Sequence, residues 1–389
     1  MEIKNVNLLS QIHFLGGLVK NAEYIEIQNS SDNNISNINH TIKQLSYYYF
    51  SYDNQIENKL DIYEISLNLK NSINEQKLIF ELKYKEDIGN KNIKLITATN
   101  LNNNIYILFR SNDLSHVYGG IYDLEENKYF PMILETDENK NKIKEIINQI
   151  PLKDYITILE QNIIFFFGGI KKGDRIYNEE NEVKIKSDYI IENETINKSC
   201  IYFNIEQLEF GKQKFQEFSL IPRYKLGGTN QNGIIYLIGG YTSLSNIEEN
   251  ICNYVQFAKY FDSKLYKFSL AKYEGEDPKD MINNNVLIVN NRYLVSFSGY
   301  KYLKLWILDT KDSKSININL KEKLNLEEFN KNDAIFQLLE CFIEENNGEK
   351  SNENEKALSK DIILLLIKII YDNNKINFKF INISFKLDI

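Results

Sequence analysis

The chain has 389 residues, 43% hydrophobic and 26% charged, which is a globular balance rather than a disordered one and allows two or three domains or one closed repeat architecture. A net charge of −8 argues against a nucleic-acid partner, which needs a concentrated basic face to displace phosphate counterions. Three widely spaced cysteines, Cys200, Cys252 and Cys341, make no CxxC pair and no disulfide framework, so a reducing compartment and a cytoplasmic protein are expected.

The first residues, MEIKNVNLLSQ, carry no basic stretch followed by a sustained apolar core, and no signal peptide is read there. Beyond them the chain is a series of short apolar or alternating runs separated by Asn, Asp, Gly and Lys clusters, the pattern of an all-β domain. Predicted strands follow in order: SQIHFLGGL (10–18), LSYYYFSY (45–52), KLDIYEISL (59–67), KLIFELKY (77–84), IKLITAT (93–99) and NIYILFR (104–110). KNKIKEIINQI (140–150) is an amphipathic helix candidate that Pro151 would stop. YITIL (155–159), IIFFFGGI (163–170), CIYFNIEQ (200–207), GIIYLIGG (233–240), KLYKFSL (264–270), NVLIVN (285–290), RYLVSFSGY (292–300) and YLKLWILDT (302–310) continue the strand series. LKEKLNLEEF (320–329) is the second helix candidate. AIFQLLECFI (334–343), DIILLLIKII (361–370) and KINFKFINISFKL (375–387) close the set; the middle one is too short to span a bilayer and contains Lys368, so no membrane span is expected. With 26 Tyr and 22 Phe the apolar content favours pleated surfaces. With only 4 Pro and 17 Gly, turns must rely on Asn and Asp. The heavy Asn, Ile and Lys usage fits an AT-rich genome.

Aligning the chain on its doubled glycines reveals a unit. RYKLGGTNQNGIIYLIGGYTS is strand, turn, strand, Gly-Gly; after a polar insertion KLYKFSLAKY supplies the next strand. Residues 155–210 and 286–310 repeat the scheme, and 93–130 hold a degenerate copy. In the strand after the insertion an aromatic recurs after six intervening residues: Tyr122 to Tyr129, Phe203 to Phe210, and Tyr266 to Tyr273. A Gly-Gly pair closing an apolar strand, followed by aromatics at that spacing, resembles the kelch repeat. That family usually has Trp at the second aromatic position; here Tyr or Phe stands there, and the single Trp306 sits in another register. The resemblance implies a β-propeller of six or seven four-stranded blades, a single domain over 1–389 with insertions near 171–199, 242–263 and 344–360. It also implies closure by N- and C-terminal strands sharing a blade, with FINISFKLDI pairing against SQIHFLGGL. Gly16, Gly17, Gly168, Gly169, Gly239 and Gly240 are then structural, letting the chain turn where a side chain would meet the adjacent blade.

Chemistry is sparse in the inventory. The three histidines, His13, His40 and His116, form no HxH or HxxxH pattern, which argues against the copper sites of galactose-oxidase-like relatives; neither metal nor cofactor is expected. No GxSxG elbow exists. Cys200 and Cys341 lie in apolar strands, and Cys252, in NIEENICNY, is the thiol expected to be exposed. Among few arginines, Arg110 stands where a blade glycine would, and Arg223 enters a first strand; both are expected on one rim, with His116, Tyr241 and Tyr300. Arg292 is expected in a tight turn of the opposite rim. Arginine's donor fork suits protein interfaces. The expected function is a non-catalytic scaffold or adaptor that binds another protein, of the cytoskeleton or a ubiquitin ligase, on the loop-rich rim. The alternative implied by the resemblance is a sugar-modifying enzyme like the sialic-acid epimerases, working in the central channel.

Overall fold

The computed structural model describes residues 18–21, 45–53, 59–67, 74–83, 88, 93–111, 114–136, 139–172, 194–213, 220–244, 251–261, 264–265, 267–298, 303–320, 334–346, 359–372 and 375–388. They form two compact units, Met1–Ile147 and Asn148–Ile389. Both are all-β in plan, built from antiparallel meanders that follow one another in chain order.

The first unit holds two four-stranded sheets. One runs β1 (Leu18–Asn21), β2 (Leu45–Asp53), β3 (Lys59–Leu67) and β4 (Asn74–Lys83). The other runs β5 (Ile93–Leu101), β6 (Asn104–Ser111), β7 (Val117–Asp123) and β8 (Lys128–Met132), and β5 lies beside β1. Helix α1 (Lys140–Ile147) buries Ile143, Ile146 and Ile147, which share one face at helical spacing. β1 starts at Leu18, where the predicted first strand ends; the rest of that run, with Gly16 and Gly17, lies outside the described residues.

The second unit contains four sheets. The third sheet of the chain comprises β9 (Lys153–Glu160), β10 (Ile163–Lys172), β11 (Glu194–Ile196), β12 (Cys200–Asn204) and β13 (Glu209–Gln213). The fourth comprises β14 (Gly227–Gln231), β15 (Ile234–Ile238), β16 (Val255–Phe261), β17 (Lys264–Leu265) and β18 (Ser269–Leu270). In the fifth, β20 (Asn285–Val289), β21 (Tyr293–Ser298), β22 (Lys304–Asp309) and β23 (Lys314–Asn319) form the meander. There β19 (Glu274–Gly275) adds to β23 in parallel, which the repeat pattern did not predict. The last is a three-stranded sheet of β24 (Ala334–Asn346), β25 (Ser359–Asp372) and β26 (Lys375–Asp388). Among the described residues β26 pairs with β25 alone. The strand expected to share a blade with it falls on residues outside the description.

Successive sheets of this unit meet through their first strands: β9 beside β14, β14 beside β20, β20 beside β24. The faces between them are filled with large apolar side chains. Phe165 and Phe167 of β10 pack with Ile235, Leu237, Tyr260 and Phe268 of the next sheet. Ile238 and Val255 meet Val286, Leu294, Trp306 and Leu308. Phe297, Leu305 and Ile307 reach Leu338, Ile362 and Leu364. Face-to-face packing of twisted four-stranded meanders, first strand against first strand, is the blade arrangement of propeller folds.

The spaced aromatics have a simple cause. Tyr122 lies directly opposite Tyr129 across β7 and β8, and Phe203 opposite Phe210 across β12 and β13, with ring centroids 4.8 Å apart in the second pair. In each hairpin the pair that flanks the turn, Asp123 with Lys128 and Asn204 with Glu209, lies one step inside the aromatic pair, so the aromatics are the next residues to face each other. Cross-strand aromatic pairs are a main source of sheet stability. Of the third pair, Tyr266 lies outside the described residues.

Candidate functional site

The doubled glycines of the second unit build a joint that occurs twice. Gly169 N–H donates to Arg223 O at 2.8 Å, and Gly240 N–H to Met281 O at 2.8 Å. Each glycine carbonyl then accepts from the chain leading to the third strand: Asn197 N–H to Gly169 O, and Cys252 N–H to Gly240 O, both at 2.8 Å. So the end of a second strand is stitched to the segment entering the first strand of the next sheet. Gly168 has φ 68° and Gly239 φ 66°. A Cβ on the first would run into Arg223 O, and on the second into Met281 O, both main-chain atoms that cannot swing aside.

A second row of bonds runs along the same edge. Lys225 N–H donates to Asp154 O at 2.9 Å and Asn283 N–H to Lys225 O at 2.8 Å. Asp154 lies at the start of β9, while Lys225 and Asn283 lie just before β14 and β20, and all three are left-handed, with φ of 58°, 56° and 49°. Non-glycine residues held there are strained, and the row persists because the inter-sheet bonds over-determine it.

Arg223 locks this edge from within. Its Nη1 donates to Gly239 O and to Cys252 Sγ, each at 3.1 Å, and its Nη2 to Gln256 Oε1 at 2.8 Å. The guanidinium carbon lies 5.7 Å from the Tyr254 ring centroid, and Gln256 Oε1 also accepts Ile221 N–H at 3.2 Å. The side chain is 0% exposed, and its Nε has no partner among the described residues. Its charge is met by carbonyl, amide, sulfur and ring rather than by a carboxylate, a compensated burial. Burial pushes the Tyr254 phenol up to about 12, with the charge of and hydrogen bond to Cys252 adding to the rise and Arg223 opposing it.

The segments next to these joints line a groove of about 590 Å³, formed by Thr195, Ile196, Lys198, Ile221, Pro222, Thr242, Ser243 and Leu244. Its three walls are the segments that the joints hold. Tyr224 and Tyr241 exchange backbone hydrogen bonds of 3.0 and 2.8 Å and their rings lie 5.3 Å apart, while Tyr224 OH donates to Ser243 O at 3.3 Å. The wall carrying Ser243 is therefore anchored to the one carrying Pro222.

The expected site residues scatter differently from the reading by sequence. Arg223 is fully buried rather than offered to a partner. Arg110, 1% exposed in β6, is likewise not a surface group. His116 is 42% exposed and its Nδ1 sits 2.8 Å from Glu135 Oε2, whose other oxygen accepts Val117 N–H at 2.7 Å. Tyr241 is half-buried against Tyr224, and Tyr300 lies outside the described residues. Cys252, expected to be exposed, is only 2% so, because its N–H closes a glycine joint and its sulfur faces Arg223. Burial raises the Cys200 thiol well above its ordinary value, in keeping with an inert core position. Arg292 does sit in a hairpin turn, where it grips Asp309 with two bonds of 2.9 and 2.6 Å. The groove residues were missed. Six of them, Thr195, Ile196, Lys198, Thr242, Ser243 and Leu244, lie within the insertions expected near 171–199 and 242–263, and no motif singled them out there.

No family model and no curated protein matches this chain. Among solved structures, YjhT is similar with a TM-score of 0.44 and 10% identity, over 93% of this chain and 97% of its own. A post-proline cleaving enzyme from Rickettsia typhi is similar with a TM-score of 0.35 and 10% identity, over 88% of this chain and 45% of its own. Both scores lie below 0.5, so nothing that either protein does is carried to this chain.

Proposed function

We propose that this chain is a binding module: a kelch-type propeller that holds another protein on the edge where its second strands end. The observation that carries the reading is the groove walled by residues of Thr195–Lys198, Ile221–Pro222 and Thr242–Leu244. Loops fixed on a rigid sheet scaffold are a common seat of recognition. Here the scaffold bonds each wall to the next, so the groove is preorganised, which lowers the entropy that a partner must overcome. Its described lining is four apolar residues, three hydroxyls and the ammonium of Lys198, a mixture suited to contact with another chain.

A photo-crosslinking residue placed at Ser243 and activated in the native cell tests this. The reading expects a discrete protein adduct that Leu244→Asp abolishes while thermal unfolding stays unchanged. No adduct from Ser243, with adducts forming readily from a position on β25, would overturn it.

A further inference from the structure

Resting on that reading, we infer that the groove takes an acidic, apolar-anchored peptide segment. The lining combines four apolar side chains, Ile196, Ile221, Pro222 and Leu244, with three hydroxyls and one charge, the ammonium of Lys198. Among the described lining residues there is no carboxylate, although Asp and Glu outnumber Lys and Arg by 54 to 46 in the chain. In a molecule of net charge −8 the general field repels an acidic partner, so the local sign at the groove decides where such a segment can settle. Leu244, 39% exposed, and Pro222 offer a seat for a bulky aliphatic or aromatic side chain, while the Thr195 hydroxyl can donate to its backbone carbonyls or to a carboxylate. The occupant is thus an extended segment with an apolar residue next to Asp or Glu.

The test uses the full chain and three fluorescein-labelled hexapeptides that alternate leucine with aspartate, with asparagine or with lysine, read by fluorescence anisotropy at low and at high salt. The inference expects the aspartate peptide to bind best, by about threefold over the asparagine peptide at low salt, with the margin lost at high salt. Lys198→Glu is expected to reverse the order in favour of the lysine peptide, and Leu244→Asp to remove binding of all three. Equal binding of the aspartate and asparagine peptides, or an order that Lys198→Glu leaves unchanged, overturns the acidic preference and leaves the groove reading standing. Failure of every peptide, together with no adduct from Ser243, overturns both.

Discussion

At the scale of single residues, the chain is held by a few atoms that cannot be exchanged. Gly239→Ala would place a methyl group against Met281 O at a left-handed φ, and we expect it to cost more than about 2 kcal/mol in chemical denaturation. Gly119, which has no left-handed φ and meets the flexible ends of Met132 and Leu134, should be more tolerant. Arg223→Ala removes the guanidinium donor to Gly239 O and one of the two donors to Gln256 Oε1 and opens a void; a loss of about 3 kcal/mol or more is expected, with Arg223→Lys recovering only part of it. The Arg292–Asp309 pair adds a pH signature. Partial burial pushes the Asp309 carboxyl up, but the hydrogen bonds from Arg292 and from the backbone of Asp312 and Lys311 outweigh it, and the net shift is downward. Its folded value lies below its unfolded one, so its contribution is present above the ordinary carboxylate range and is lost as pH falls through the folded value. Asp309→Asn should cost about 1–3 kcal/mol near neutrality and flatten the stability profile below pH ~4. Tyr254 works at the other extreme. Its folded value, about 12, lies above that of a free phenol, so stability should fall as pH rises from about 10 towards 12, and Tyr254→Phe should blunt that fall in an alkaline unfolding titration.

At the scale of elements, much was legible in the sequence because the repeating constraint is backbone geometry. IIFFFGGI and IIYLIGG each announce a buried strand whose end must approach a neighbour's main chain, and β10 and β15 show the same joint. The aromatic spacing was visible as a pattern, and its meaning, two residues facing across a hairpin, came from the register. Phe210→Ala, which empties one half of such a pair, should cost about 3–5 kcal/mol by calorimetry or denaturant melting. Pro151 marks the helix boundary within a few residues, since α1 ends at Ile147. The direction of Arg223 was not legible. Nothing local distinguishes an arginine that reaches into the protein from one that reaches out; the acceptors that turn it inward, Gly239 O, Cys252 Sγ and Gln256 Oε1, come from residues 16 to 33 positions away. The parallel addition of β19 to β23 was hidden for a similar reason, being only two residues long and carrying no apolar pattern.

At the scale of the whole molecule, the account joins a repeated joint to a groove that the joints shape. The most direct check of the central claim is hydrogen exchange, followed by mass spectrometry, on the chain with and without the partner recovered through the Ser243 adduct. Peptides covering 194–199, 220–224 and 241–244 are expected to gain protection together on binding. Protection confined to β25 and β26, with those three segments unchanged, would contradict the claim.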